Sequence, residues 1–360
     1  MRYGAELRQA FDVVARQFRL RMDERLDTSF PQPDAPEQIN LTYLWARTVC
    51  CPHCDGLVPL SPNWRLAPDD TGVRLSPFLG TGKGDRTRRC DFVIVRSAAE
   101  HSAGTVADGD GTCPFPDCSR VIDGDEIKRQ AQAGGMGEQL FAMVFKRRIA
   151  TTTKLGKPGR DKWERGYRAP RPEDDNSVEI AARLAAKMQE WEALDFVPSE
   201  AFPPDSNDDR PIQYGMPLWR DLFSPRQLLG HGTAVEVYRE LLAEAEAAGT
   251  LDEVSRAAFV YLALSLDKMA DYNSRMCRWH GTREVMVNTF DRHDFSFKWS
   301  YAEMAPLIAG LGYDWVIGQV GKCIKELVDL GHPETRDNNS LLRTANPIPP
   351  AIRHHHLRPR

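Results

Sequence analysis

Apolar positions recur at helical spacing near the start of the chain. Leu7, Phe11, Val14, Phe18 and Leu20 fall near one face and predict an amphipathic helix over 5–27. "SFPQPDAPEQIN" then breaks the pattern with three prolines. From 41 to 125 the helical period is lost. Glycines, prolines and cysteines there separate short β-prone runs such as "DFVIVRS" (91–97). Helical spacing returns over 176–194. Further on, Ser224 reads as an N-cap, Pro225 as the first helical residue and Gly249 as the stop. Asp252 caps a following helix that is apolar on nearly every side around 259–266, which predicts a central place in the core. Residues 301–331 predict one or two more helices. The stretch 332–360 matches no fold pattern and is expected to be disordered.

Composition narrows this picture only a little. With 360 residues and 41% apolar content, the chain can bury a sizeable core in two or three structural units. A formal net charge of −4 gives no global nucleic-acid footprint, so any such footprint must be local. No run of about 18 apolar residues predicts a membrane span, and the N-terminus lacks the apolar stretch of a signal peptide. Eight cysteines in such a chain point to metal or catalysis before disulfides, and to a cytoplasmic protein.

"TVCCPHCDG" (48–56) places three of these cysteines within five positions, and "GTCPFPDCSR" (111–120) holds another pair. Cys51-x2-Cys54 and Cys113-x4-Cys118 would each offer two thiolates from a tight turn, which is what a tetrahedral zinc ion needs. Such a closed site has no open coordination position and is structural. Cys50 is a possible substitute ligand, and His53 or His101 could replace a thiolate. Unrelated buried thiols remain the plain alternative; a redox pair would need a βαβ context, which is absent. Cys277 and Cys323 fall in helical patterns and read as core thiols.

Catalytic motifs are harder to find. "GTGKGDRTRR" lacks the spacing of a phosphate loop and reads as an exposed basic hairpin tip, and no dinucleotide fingerprint or nucleophile elbow occurs. Between Lys146 and Arg171, however, ten Lys or Arg residues face only Asp161 and Glu164, a local net of +8. Trp163 and Tyr167 lie among them. Cations neutralise phosphates and aromatic rings stack on bases, so Arg147, Arg148, Lys162, Trp163, Arg165, Tyr167 and Arg168 are candidate nucleic-acid contacts. The plain alternative is a solvated loop. Arg86, Arg88 and Arg89 would join the same surface if the hairpin folds back on this segment.

Six stretches in order carry a family resemblance. They are "YLWARTVCCPHCDGLVPL" (43–60), "GTCPFPDCSRVI" (111–122), "RGYRAPRPEDD" (165–175), "YGMPLWRDLFSPRQLL" (214–229), "MADYNSRMCRW" (269–279) and "VNTFDRHDFSFKWSYAEM" (287–304). Together they resemble the large adenine-specific DNA methylases that contain a zinc ribbon. The resemblance implies a ribbon and a helical region inserted into a methyltransferase domain that binds S-adenosylmethionine. It carries over only the metal ligands Cys51, Cys54, Cys113 and Cys118. The x4 spacing of the second pair departs from the commoner x2. The family's Asp-Pro-Phe-x-Gly-Gly-Gly cofactor loop and its catalytic Asp-Pro-Pro-Tyr do not occur in this sequence. A one-base shift under one choice of codons turns residues 353–359 into Ala-Ile-Ile-Thr-Ser-Asp-Pro, so a frameshifted end is compatible with the resemblance.

The resulting expectation is an α+β chain. It comprises an N-terminal helix and linker (1–40), a zinc-ribbon-like β unit (41–145), a basic linker (146–175), a mostly helical region (176–331) and a disordered tail (332–360). Its function would be that of a central, truncated part of an N6-adenine DNA methyltransferase, inactive alone. It would hold a structural Zn2+ and double-stranded DNA, with S-adenosylmethionine bound only in the intact family member. The alternative is a stand-alone zinc-ribbon nucleic-acid-binding or interaction module working with a catalytic partner chain. Without a methyltransferase sheet beside them, the apolar faces of 5–27 and 301–330 are expected to lack a partner.

Overall fold

The computed structural model describes residues 4–331, apart from 34, 36, 154, 204–208 and 293; the expected disordered tail lies outside them. The chain is α+β. It opens with α1 (Gly4–Leu26), followed by β1 (Gln38–Cys50), β2 (Leu57–Leu60), β3 (Gly72–Phe78), β4 (Arg89–Val95), β5 (Val106–Ala107), β6 (Asp110–Thr112) and β7 (Val121–Ile122). Next come α2 (Gly124–Gln132), β8 (Gly137–Ile149), β9 (Lys162–Arg168), α3 (Ser177–Ala193), α4 (Arg210–Gln213), α5 (Pro225–Ala247) and α6 (Glu253–Tyr272). A short β10 (Arg278–His280) and β11 (Val285–Val287), then β12 (Ser300–Met304) and α7 (Gly312–Gly331), complete the order.

An antiparallel sheet in the order β12-β1-β8-β9 ties distant parts of the chain together, with β2 also pairing β1. β12 pairs Thr42–Ala46 of β1, and β2 pairs the next four residues, Arg47–Cys50. Thus β1 leads directly from the sheet into the first cysteine turn. It is buried along most of its length, as a strand covered on both faces should be. Leu44 and Ala46 enter a core with Val58, Trp64, Phe92, Phe115 and Ile127. Tyr43 and Trp45 enter a smaller cluster with Phe30, Leu140, Met143 and Tyr301.

The helices build a separate core. Phe11, Phe18 and Met22 of α1 pack with Leu262 and Met269 of α6, Val237 of α5, and Val316 and Ile324 of α7. Phe18 meets Tyr313 edge to face at 5.3 Å. The apolar faces expected to stand uncovered therefore cover each other, because α1 and α7 pack together and both pack on α6.

Three other expectations change. The segment 146–175 is no linker: it holds the end of β8 and all of β9, paired from Met143↔Arg168 to Ile149↔Lys162. Trp163, Arg165 and Tyr167 fall on one face at strand spacing, a period that the high charge hid. The first part of 301–331 is strand β12, and only 312–331 is helical. Helix α6 is half covered: Leu262 is buried, but Val260 is 59% and Leu264 49% exposed. The helix caps follow the reading. Ser224 Oγ accepts from the Gln227 N–H, Asp252 accepts from the Ser255 N–H, and Gly249 takes a positive φ of 68° after α5.

Candidate metal centre

The first cysteine turn starts where β1 ends. The Cys51 N–H donates to the Gly56 carbonyl at 2.9 Å, and the Cys51 carbonyl accepts from the N–H groups of Cys54 and Asp55. Asp55 has a positive φ of 56°, a left-handed step that brings Cys54 back beside Cys51. In the second turn, the N–H groups of Cys118 and Ser119 both donate to the Phe115 carbonyl at 2.9 Å, and Ser119 has a φ of 51°. The two turns therefore share one backbone design. In the second, however, Phe115 holds the position that Cys51 holds in the first, and the cysteine stands two residues earlier. That accounts for the x4 spacing. The Phe115 ring is fully buried and lies where a side chain on Gly56 would sit: a Cβ there would come within 2.4 Å of it. Glycine is needed at 56 for the turns to meet.

The four sulfurs converge. Cys51 Sγ lies 3.8 Å from Cys118 Sγ, Cys54 Sγ lies 3.7 Å from Cys113 Sγ, and all four are within 4.8 Å of one another. Sulfurs bonded to one tetrahedral ion at about 2.3 Å stand about 3.8 Å apart, whereas a disulfide requires about 2.05 Å. These four cysteines could therefore bind one metal ion, and the geometry excludes disulfides among them. Burial pushes the Cys51 thiol up to about 11 and the Cys113 thiol higher still. At Cys118 burial acts the same way but is outweighed by the Arg120 N–H and the neighbouring thiols, which draw it below its ordinary value. A metal entering such a cluster displaces protons from buried thiols.

The other candidates stand apart. Among the described residues Cys50, His53 and His101 do not join the cluster. The Cys50 N–H and carbonyl bond the Gln130 amide, His53 Nε2 lies 3.3 Å from the Val121 carbonyl, and His101 Nε2 lies 2.9 Å from the Asp70 carbonyl. Cys277 is a core thiol, but Cys323 is exposed on α7, a correction to its reading. The helical period dictates this, since Ile324 directly after it faces the core.

Sequence reasoning missed the role of Arg88. Placed in a basic hairpin tip, it was expected at the surface with Arg86 and Arg89, yet its side chain is fully buried. Its guanidinium bonds both carboxylate oxygens of Asp117, inside the second turn, and donates to the Leu79 carbonyl. It also lies 4.7 Å from the centre of the Phe115 ring. The Cys54 sulfur adds to the field that keeps it charged. An ion held by four thiolates carries a net negative charge, and a buried cation beside it offsets that charge. Arg88→Ala is expected to weaken metal binding by about 10–100-fold, read by competition with a chromophoric chelator. Arg88→Lys should recover part of the loss; equal affinity in all three proteins would show that the charge is irrelevant.

The basic candidates divide between the faces of the β8–β9 ladder. Cross-strand pairs Lys146↔Arg165 and Arg148↔Trp163 share one face, and Lys146 Nζ lies 5.1 Å from the Trp163 ring centre. Arg148 and Trp163 are exposed. Arg165 on this face donates to the Glu284 carbonyl and lies 5.9 Å from the Trp279 ring. Arg147 sits on the opposite face, paired with Glu164, and Lys162 is exposed at the start of β9. Two candidates are internal. The Tyr167 hydroxyl donates to Glu284 from a buried ring, and Arg168 is held by both oxygens of buried Asp174 and by Asn40. Both act in the fold, not at the surface.

Compared with protein-family models, with curated proteins and with solved structures, the chain matches none. Among the described residues no helix is long and apolar enough to cross a membrane.

Proposed function

We propose that the chain is a zinc-stapled DNA-binding module, the ribbon-plus-helical part of an S-adenosylmethionine-dependent, adenine-specific (N6) DNA methyltransferase. The observation that carries this reading is the closed four-sulfur cluster, whose spacing of 3.7–3.8 Å within pairs suits zinc. Four thiolates around one ion leave no position for substrate, so the ion's work is structural. The exposed face of the β8–β9 ladder supports the DNA half of the reading: Arg148, Trp163 and half-buried Lys146 cluster there, while Arg147 and Lys162 lie on the opposite face. The methyltransferase half rests on the six ordered sequence stretches. The cofactor loop and Asp-Pro-Pro-Tyr are not among these 360 residues. Methyl transfer then falls to a catalytic unit that carries them, and the residues described here hold the DNA.

Duplex binding tests the reading, measured by fluorescence anisotropy over a series of salt concentrations. The wild-type chain is expected to bind with an affinity that falls steeply as salt rises. Changing Arg147, Arg148 and Lys162 to Gln should flatten the log–log slope by about 0.9 for each phosphate left without its cation. Trp163→Ala should weaken a frayed or single-stranded substrate more than a duplex. If the triple variant, which changes cations on both faces, binds duplex as the wild type does, neither face of the β8–β9 ladder is more than a solvated surface.

A further inference from the structure

The pairing of β8 with β9 continues beyond Ile149 and Lys162. The Gly159 N–H donates to the Thr151 carbonyl at 2.7 Å, the Thr151 hydroxyl donates to the Arg160 carbonyl at 2.8 Å, and the Thr153 N–H donates to the Lys157 carbonyl at 2.8 Å. The tip closes where the Gly156 N–H donates to the Thr153 carbonyl at 2.9 Å, and Gly156 takes a positive φ of 72°. At about 3.3 Å per residue, the strand from Arg147 to Thr153 is about 20 Å long. Among the described residues from Arg147 to Glu164 none is buried. The segment is a two-stranded arm, solvated on both faces.

Its charge and its tip are both suited to DNA. In the sequence from 147 to 164, six Lys or Arg residues stand against Asp161 and Glu164, a net of +4. They are carried on both faces of the arm: Arg148 shares one with Trp163, while Arg147 and Lys162 lie on the other. A flat contact would use one face only. A ribbon lying in a groove has phosphates along both walls, so cations on both faces are then in use. At the tip, Leu155 is 86% exposed, more than any other large apolar side chain described, and the exposed Lys157 and Pro158 follow it. Single exposed leucines are ordinary; this one stands at the end of a cationic ribbon. Apolar side chains of this size enter the base stack from the minor groove, where they part neighbouring base pairs and kink the duplex.

We propose that the arm of residues 147–164 enters the minor groove of double-stranded DNA and that Leu155 wedges between neighbouring base pairs, so that the bound duplex is bent. This rests on the DNA-binding reading above and gives that reading a geometry. The cations along the arm hold the two phosphate walls and supply most of the affinity. Leu155 supplies the kink and adds little affinity, because its burial in the stack is offset by the cost of unstacking.

Energy transfer between dyes at the two ends of a short duplex tests this, with the full chain and with Leu155 variants, alongside anisotropy for affinity. The wild-type chain is expected to bring the ends closer, as a kink of about 20–90° does. Leu155→Ala should leave the ends as far apart as in free duplex while its affinity changes by less than about tenfold, since the phosphate contacts remain. Leu155→Phe, a larger wedge, should keep the bend. A mismatched step, cheaper to unstack, should tighten binding of the wild type but not of Leu155→Ala. Duplex that is bound without bending, or bent equally by Leu155→Ala, overturns the wedge and leaves DNA binding standing. No duplex binding at low salt overturns both.

Discussion

Removing the metal with a strong chelator under reducing conditions is expected to unfold the cysteine-bearing β unit while leaving the helical core standing. The reason lies in how the two cores are built. Cys51, Cys54 and Cys113 are members of the core that contains Val58, Trp64, Phe92 and Phe115, and β5, β6 and β7 are two or three residues long. Strands so short cannot hold register by themselves. A structural zinc site contributes about 10–16 kcal/mol of apparent binding energy, as much as the entire stability of an ordinary domain, about 5–15 kcal/mol. The helical core formed by α1, α5, α6 and α7 includes none of the four cysteines. Chelation should therefore abolish the near-ultraviolet signal of Trp64 and its neighbours and leave most helical signal in place. Cys54→Ser with Cys113→Ser should reproduce that state. Loss of all structure in one transition would show a single cooperative unit; no change at all would show that the cluster holds nothing together.

Glu138→Ala is expected to be the most damaging single substitution away from the cysteines, costing about 3–5 kcal/mol. Glu138 receives Arg47, Arg275 and the Tyr301 hydroxyl, and its side chain is only 17% exposed. Truncation strands two guanidiniums that were its partners, and Arg47 is so deeply placed that burial already lowers it to about 10. Burial also pushes the Glu138 carboxyl upward, but Arg275, Arg47 and Tyr301 outweigh it and hold the group below the ordinary glutamate range. A carboxylate with a depressed folded value contributes its stability above the unfolded value and loses it as pH falls through the folded one. The wild type should therefore weaken below the ordinary glutamate range, and the alanine variant should show less of that acid-dependent loss. Urea midpoints measured at neutral and acidic pH check both statements. Equal midpoints for the two proteins at neutral pH would contradict them.

Local signals were the most legible. The cysteine spacing found all four members of the cluster, and cap residues placed Ser224, Gly249 and Asp252 correctly, because turns and caps are set by neighbours in sequence. Long-range pairing was not legible. β12 joins β1 across roughly 250 residues of chain, and nothing in "SYAEM" distinguishes that strand from the start of a helix. β9 looked like a loop because its strand period runs through cations. The buried ion pairs were hidden for a related reason. Arg47 lies inside the apolar run "YLWARTV", Glu303 inside "SYAEM" and Arg226 in a helix start, so only the fold shows Arg47 against Glu138 and Arg226 against Glu303. A charged residue within a strand buried on both faces was the one available hint. Arg88 was misplaced because a row of basic residues at a hairpin tip reads as surface, and its partner Asp117 is 29 positions away.

The most direct test of the central claim is the metal content of the chain purified under reducing conditions, followed by cobalt substitution. One zinc per chain is predicted, with Co2+ giving the thiolate charge-transfer bands and tetrahedral ligand-field bands of a four-sulfur site, both lost in Cys54→Ser with Cys113→Ser. A metal-free protein that takes up neither ion, or a site whose cobalt spectrum survives loss of those two cysteines, would contradict the assignment of Cys51, Cys54, Cys113 and Cys118 as one structural zinc centre.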